Sequence, residues 1–151
     1  MIPSAMFELL QTGVSVVVGT RDAALMPECT RAWGIRVGAD RRSVTIFLTQ
    51  TISRQTLLNL KENGRIAISC TRPTDHVACQ LKGQVRAIRP ADARDRKHST
   101  NWHREFTDEL IAIGVPATLC EAWITEPAVA VDVDVTDTFL QTPGPGTGER
   151  V

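Results

Sequence analysis

The sequence predicts a mainly β domain with helices covering it, an antiparallel barrel or sandwich of six strands. Three observations carry that prediction. Six segments read as strands, through β-branched content or apolar/polar alternation, with short turn signals between several of them. Helical patterns are few, and two of them lie between strands. The 151 residues, 42% apolar and 23% charged, are enough for one sizeable core and contain no repeat or linker, so residues 1–151 read as a single domain.

The elements follow in order. Ser4 is placed to cap a short helix through Met6, Phe7, Leu9 and Leu10, ended near Gly13. The β-branched run 14–20 is the first strand, and Arg21-Asp22-Ala23-Ala24 the turn after it. Residues 29–37 read as one extended stretch, and 38–42 as a second turn. Residues 43–49 form the third strand of an antiparallel meander. A helix over 53–62 carries Leu57, Leu58 and Leu60, and Asn63-Gly64 stops it. Residues 65–71 make the fourth strand. The fifth, 78–88, sets Cys79, Leu81, Gly83, Val85 and Ala87 on one face and Gln80, Lys82, Gln84 and Arg86 on the other. A long helix over 91–113 presents Trp102, Phe106, Leu110 and Ile113 as one stripe, before Gly114-Val115-Pro116 breaks it. A short helical stretch covers 117–124. Alternating valines make 129–135 the sixth strand, and 138–151 is an irregular tail rich in Pro and Gly.

Composition narrows the function classes. Lys plus Arg and Asp plus Glu each number 17, so no charge excess marks a nucleic-acid or membrane-surface binder. No stretch approaches the ~20 apolar residues of a membrane span, and the amino terminus lacks a signal-peptide pattern, so a cytoplasmic location is expected. Cys29, Cys70, Cys79 and Cys120 fit no zinc spacing and read as reduced thiols, mostly buried. His76, His98 and His103 do not cluster with carboxylates at ligand spacing, so no metal site is expected. No nucleophile elbow or Walker lysine is present, and the prolines of Gly144-Pro145-Gly146 remove the N–H donors that a phosphate loop needs.

The most informative run is Ile46-Phe47-Leu48-Thr49-Gln50-Thr51-Ile52-Ser53-Arg54-Gln55-Thr56. A strand ends in hydroxyl residues, a turn follows, and a helix begins at Ser53-Arg54. A helix start offers free N–H groups and partial positive charge; Ser53 adds a hydroxyl and Arg54 a bidentate cation, together a phosphate seat. The plainer reading of the same residues is a Ser cap followed by a solvated arginine. Of Trp33, Trp102 and Trp123, Trp102 belongs to the helix stripe and reads as core, whereas Trp33 is the one placed to approach a cofactor.

With the run Phe47 to Gln55, the helix after it, the Asn63-Gly64-Arg65 stop and the strand into Lys82-Gly83, the chain resembles the FMN-binding split-barrel proteins, the group that includes pyridoxamine 5′-phosphate oxidase. The resemblance covers residues 14–88. It implies a six-stranded antiparallel split β-barrel, homodimeric, with the flavin site at the subunit interface. It places Arg31 near the flavin phosphate or ring and lays Ala32 and Trp33 along the ring, mainly through their backbone. Thr49 would hydrogen-bond the flavin, and Ser53 and Arg54 would hold its phosphate. Gln55 stands where the oxidase has lysine, which leaves one cationic contact fewer. The tail after Gln141 has no histidine, unlike the oxidase segment that holds the vitamin, which implies a different substrate. Two classes of function follow. One is an FMN-dependent oxidoreductase acting on a small molecule; the other is a non-enzymatic flavin- or haem-binding redox module. A deazaflavin is a further ligand for the same barrel.

Overall fold

The computed structural model describes residues 1–122 and 126–151. Its elements run α1 (Ser4–Leu10), β1 (Ser15–Arg21), β2 (Pro27–Ala32), β3 (Ile35–Val37), β4 (Ser43–Leu48), α2 (Arg54–Asn63), β5 (Arg65–Thr71), β6 (Ala78–Pro90), α3 (Ala93–Ala112), α4 (Ala117–Glu121) and β7 (Val129–Leu140). The strands form one antiparallel sheet of seven, ordered β2-β1-β5-β6-β7-β4-β3. The two strands at its ends, β2 and β3, are consecutive in the chain, so the sheet curls until its edges meet.

The meeting point corrects the expected strand count. Residues 29–37 are two strands because the chain turns a corner at Gly34, whose φ of +122° lies in a region that side chains disfavour. A Cβ added there would also come within 3.2 Å of the Phe47 ring. Before the corner, β2 pairs with β1, Ala32 opposite Val16; after it, β3 pairs with β4, Ile35 opposite Ile46. The expected three-strand meander is therefore two hairpins at opposite ends of a seven-stranded sheet. The Trp33 N–H donates to the Phe47 carbonyl (2.7 Å) and the Phe47 N–H to the Gly34 carbonyl (3.3 Å), closing the seam.

Other boundaries shift less. β7 continues to Leu140, so irregular chain begins at Gln141 rather than at 138. Pro3, not Ser4, holds the cap position of α1, and it has no side chain to cap with. α2 ends at Gly64, in the left-handed region at φ +67°, as the Asn-Gly stop requires. β6 alternates until its register shifts at Lys82/Gly83 and Val85/Ala87; bare Gly83 lets the Asp134 backbone and the Val133 side chain approach. Ile124 and Trp123, the end of the expected short helical stretch, lie outside the described residues.

The barrel interior holds Val16, Val18, Ile46, Leu48, Ile68, Leu81, Val131 and Val133, plugged at one end by Met6, Leu9 and Leu10 of α1. Trp102 and Phe106 of α3 stack at 5.1 Å, and the Trp102 Nε1–H donates to the Val14 carbonyl (3.0 Å). The stripe leaves the core beyond Leu110, since Ile113 is 52% exposed. Cys70 and Cys79, both buried, face each other across β5 and β6, while Cys29 is exposed. Their shared hydrogen bond, together with burial, raises the Cys70 thiol; the same bond lowers that of Cys79 against the opposing effect of burial. No described helix is long and apolar enough to cross a membrane.

Charge fastens α3 to the sheet. Asp92 and Asp95 form a reciprocal capping box at its start. Asp95, only 1% exposed, also accepts from Arg36 Nη2 (2.8 Å) and Arg89 Nη1 (2.5 Å). Arg89 reaches on to Asp132 (3.0 Å), which in turn accepts from the Thr45 hydroxyl (2.7 Å).

Candidate functional site

The site begins where β4 runs out. Five of its six residues are buried, and the last backbone pairing is Leu48 opposite Val129. The chain then crosses the barrel mouth through Thr49, Gln50, Thr51 and Ile52 before α2 starts at Arg54. Ser53 occupies the cap position with φ −108° and ψ 17°, which is not the extended geometry of a side-chain cap, and its hydroxyl makes no cap hydrogen bond. It is fully buried and instead meets the Thr30 hydroxyl at 3.4 Å. Neither half of the expectation for the Ser53 side chain, cap or open phosphate donor, describes this geometry.

The consequence lies in the backbone. The Leu57 N–H closes the first turn on the Ser53 carbonyl (2.9 Å), and the N–H groups of Arg54, Gln55 and Thr56 belong to the leading turn of the helix, whose amide donors lie ahead of its own carbonyls. The first turn contains no acidic residue. Arg54, exposed and in no ion pair among the described residues, puts a positive charge at the positive end of the helix dipole. That arrangement costs about 0.3–1 kcal/mol, and an anion seated on the turn reverses it. The Thr56 hydroxyl, buried in the same turn, has no partner among the described residues. The helix start, the exposed Arg54 guanidinium and the hydroxyl residues Thr49 and Thr51 just before it in the chain are groups of the kind that hold a phosphate; the Ser53 hydroxyl joins them only if it leaves Thr30.

Gln55 turns its amide along the helix, donating to Asn59 Oδ1 (2.9 Å), while the Asn59 amide donates to the Thr20 hydroxyl (3.1 Å). Sequence reasoning missed Asn59 and Thr20, which are both buried; the only signal was an asparagine on the apolar side of a helix.

The strand residues expected at the cofactor are separated from this turn. Thr30 points inward to Ser53, so Arg31, the next residue, points outward. Its Nη1 donates to the Ser15 hydroxyl (3.0 Å), and its guanidinium lies 5.7 Å from the Phe106 ring. Burial pushes the Arg31 guanidinium down, and Cys29 acts against that shift. Ala32 is fully buried, and Trp33 is 7% exposed. The Trp33 N–H is engaged with Phe47, and its carbonyl accepts from the Ser99 hydroxyl (2.5 Å). Thr49, Ser53, Arg54 and Gln55 thus form one group around the start of α2, and Arg31, Ala32 and Trp33 a second group around the seam and α3.

The outer face of the sheet carries a cavity of about 590 Å³ where Gly19 and Ala67 lack bulk, with Arg21, Lys82 and Gln84 on its wall. That volume falls in the ~300–1,000 Å³ range of organic-ligand pockets. None of the seven expected residues lines it. α2 connects the two places, since Asn63 Nδ2 donates to the Arg21 carbonyl (2.8 Å) and the Gln84 amide to the Asn63 carbonyl (3.0 Å). Along the helix, Asn63 lies about 13 Å from Arg54 at about 1.5 Å per residue.

No family model matches the chain, and no curated protein matches it. Solved structures match its fold. HupZ of Group A Streptococcus superposes with a TM-score of 0.61 at 18% identity, over 98% of this chain and 100% of that one. An F420 reductase gives 0.61 at 17% identity, over 91% and 98%. A pyridoxamine 5′-phosphate oxidase-related, FMN-binding protein of Nostoc punctiforme gives 0.55 at 13% identity, over 97% and 87%. The fold is the split barrel of pyridoxamine 5′-phosphate oxidase-like proteins.

Proposed function

We propose that this protein is an FMN-binding split-barrel flavoprotein and an FMN-dependent oxidoreductase acting on a small molecule. The observation that carries the reading is the first turn of α2: a helix start with no acidic residue and an exposed Arg54 that forms no ion pair among the described residues, following directly on a barrel strand. The FMN-binding name of structural neighbours supports it. When bound, the flavin supplies the electron or hydride transfer. The chain's part is to seat the phosphate on α2, with Arg54 as its cation and Thr49 as a hydrogen-bond partner of the cofactor. In this reading the active form is a homodimer, with the flavin at the subunit interface and the outer sheet face turned toward the partner.

Titration of purified protein with FMN and, in parallel, riboflavin tests it, read by tryptophan fluorescence and flavin absorbance. Saturation by FMN with much weaker binding of riboflavin supports both cofactor and seat. Binding of neither sinks the reading. Sedimentation with and without FMN tests the dimer. Turnover of reduced nicotinamide by the FMN-loaded protein separates an enzyme from a non-enzymatic flavin module. Similarity to an F420 reductase makes a deazaflavin the next ligand to titrate, and a Soret band in the isolated protein would indicate haem.

A further inference from the structure

We propose a second anion site, independent of the flavin reading, in the cavity between β3 and α3, with a small phosphorylated molecule as its ligand. Arg36 of β3 and Arg94, Lys97, His98 and Asn101 of α3 line a cavity of about 210 Å³. Its size is about seven water volumes at roughly 30 Å³ each, which suits a phosphate or pyrophosphate group and lies below the ~300 Å³ where organic-ligand pockets begin.

Charge decides the ligand class. Asp95, next in the chain to Arg94, has both oxygens engaged: Oδ1 takes Arg36, and Oδ2 takes Arg89 and the Asp92 N–H. Arg89 shares Asp132 as well, so two arginines and two aspartates balance. Arg94 and Lys97 lie outside that balance. Both are exposed and neither forms an ion pair among the described residues, so they add positive charge to the cavity rim that exceeds the single carboxylate of Asp92 at the helix start. The Arg36 guanidinium, 5.4 Å from the Phe47 ring, offers Asp95 only one of its two terminal nitrogens; Nη1 is buried without an acceptor among the described residues. The His98 Nε2–H donates to the Ile35 carbonyl (2.8 Å), which fixes the ring against the cavity wall and leaves Nδ1 free of that bond. Arg94, Lys97, His98 and Asn101 fall at spacings of three, one and three, so a single face of α3 presents them. The end of α3 itself is not the site, because the Asp92–Asp95 box caps it. Arg94 and Lys97 also stand near the positive end of their helix, a placement that favours a bound anion over solvent.

The test is calorimetric titration of the full chain with pyrophosphate and with ribose 5-phosphate at constant ionic strength, with sulfate as control. The variants are Arg94→Ala/Lys97→Ala, Lys97→Glu and Arg54→Ala. Expected, in the Arg54→Ala background that silences the α2 turn, is saturable one-to-one binding of at least one phosphate compound, tenfold or more weaker when the double substitution or Lys97→Glu is added. Whichever compound binds more tightly identifies a polyphosphate or a phosphate monoester as the ligand. Binding lost in Arg54→Ala but retained in the double variant would move the anion to α2 and overturn the proposal. Absence of saturation, or sulfate binding as tightly, overturns it also. An unfolding midpoint matching wild type ensures that loss of binding reports the site and not the fold.

Discussion

Replacing Asp95 by Asn removes one negative charge from the junction between α3 and the sheet while keeping the side chain's shape and an oxygen for the capping box. The wild-type carboxylate is 1% exposed and holds two guanidiniums at 2.8 and 2.5 Å. Deleting one partner of a buried ion pair costs about 3–5 kcal/mol when the remaining charge stays dry. Arg36 and Arg89 are 21% and 32% exposed and can partly rehydrate, and Arg89 keeps Asp132. The expected loss is therefore about 2–3 kcal/mol, or about 4–12 °C in melting temperature for a chain of this length. The pH dependence separates charge from packing. Burial pushes the Asp95 carboxyl up, but hydrogen bonds from Arg89, the Asp92 N–H and Arg36 outweigh it and hold the group well below the ordinary carboxylate range. A lowered native value stabilises the fold above the unfolded value of about 3.9, and the contribution disappears as pH falls through the native one. Urea unfolding of both proteins should show a constant gap between about pH 5 and 7 and a narrowing gap below about pH 4. A loss under about 0.5 kcal/mol, or a gap as wide at low pH as at neutral, would refute the reasoning.

Three further outcomes are expected. Arg54→Ala should weaken FMN binding by about 1.5–3 kcal/mol, the range for a hydrogen bond to a charged group, and leave riboflavin unaffected; an unchanged FMN dissociation constant removes Arg54 from the seat. Gly34→Ala places a side chain at φ +122° and close to Phe47. It should destabilise by about 1–3 kcal/mol, and an unchanged urea midpoint would mean that the corner tolerates any residue. Trp102→Phe keeps the ring stack but leaves the buried Val14 carbonyl without its donor; the expected cost is about 1 kcal/mol, measured by chemical unfolding against wild type.

Much of the barrel was legible because period-two patterns report burial directly. Residues 65–71 carry the same bounds in sequence and structure, and the fifth strand declared its packed face through Cys79 and Leu81. The break at Gly34 was not legible, because an isolated glycine in an extended run signals a bulge, a close approach or a corner alike, and the choice depends on Phe47 and Trp102 arriving from elsewhere in the chain. The site divides in the same way. Local sequence located the strand–turn–helix junction and its exposed arginine. It could not tell that Ser53 would turn inward, since that is settled by Thr30 on another strand. The ion cluster joins residues 36, 89, 95 and 132, whose separation hides it from any local pattern.

The strand order also constrains the sequence of events by which the molecule can assemble. β4, nearly all of whose side chains end up buried, has β3 as a hairpin partner within ten residues, yet its other edge is satisfied only by β7, with Ile46 opposite Val131. On a ribosome, that edge stays bare while more than eighty residues are added. The α-helical material between them contributes no strand to cover it. Pairings so distant in sequence slow folding and lengthen the exposure of sticky intermediates. The nascent chain is therefore most vulnerable to misassociation after β6 has emerged and before β7 has, and a chaperone that shields Val44 to Leu48 during that interval would raise the yield of native protein.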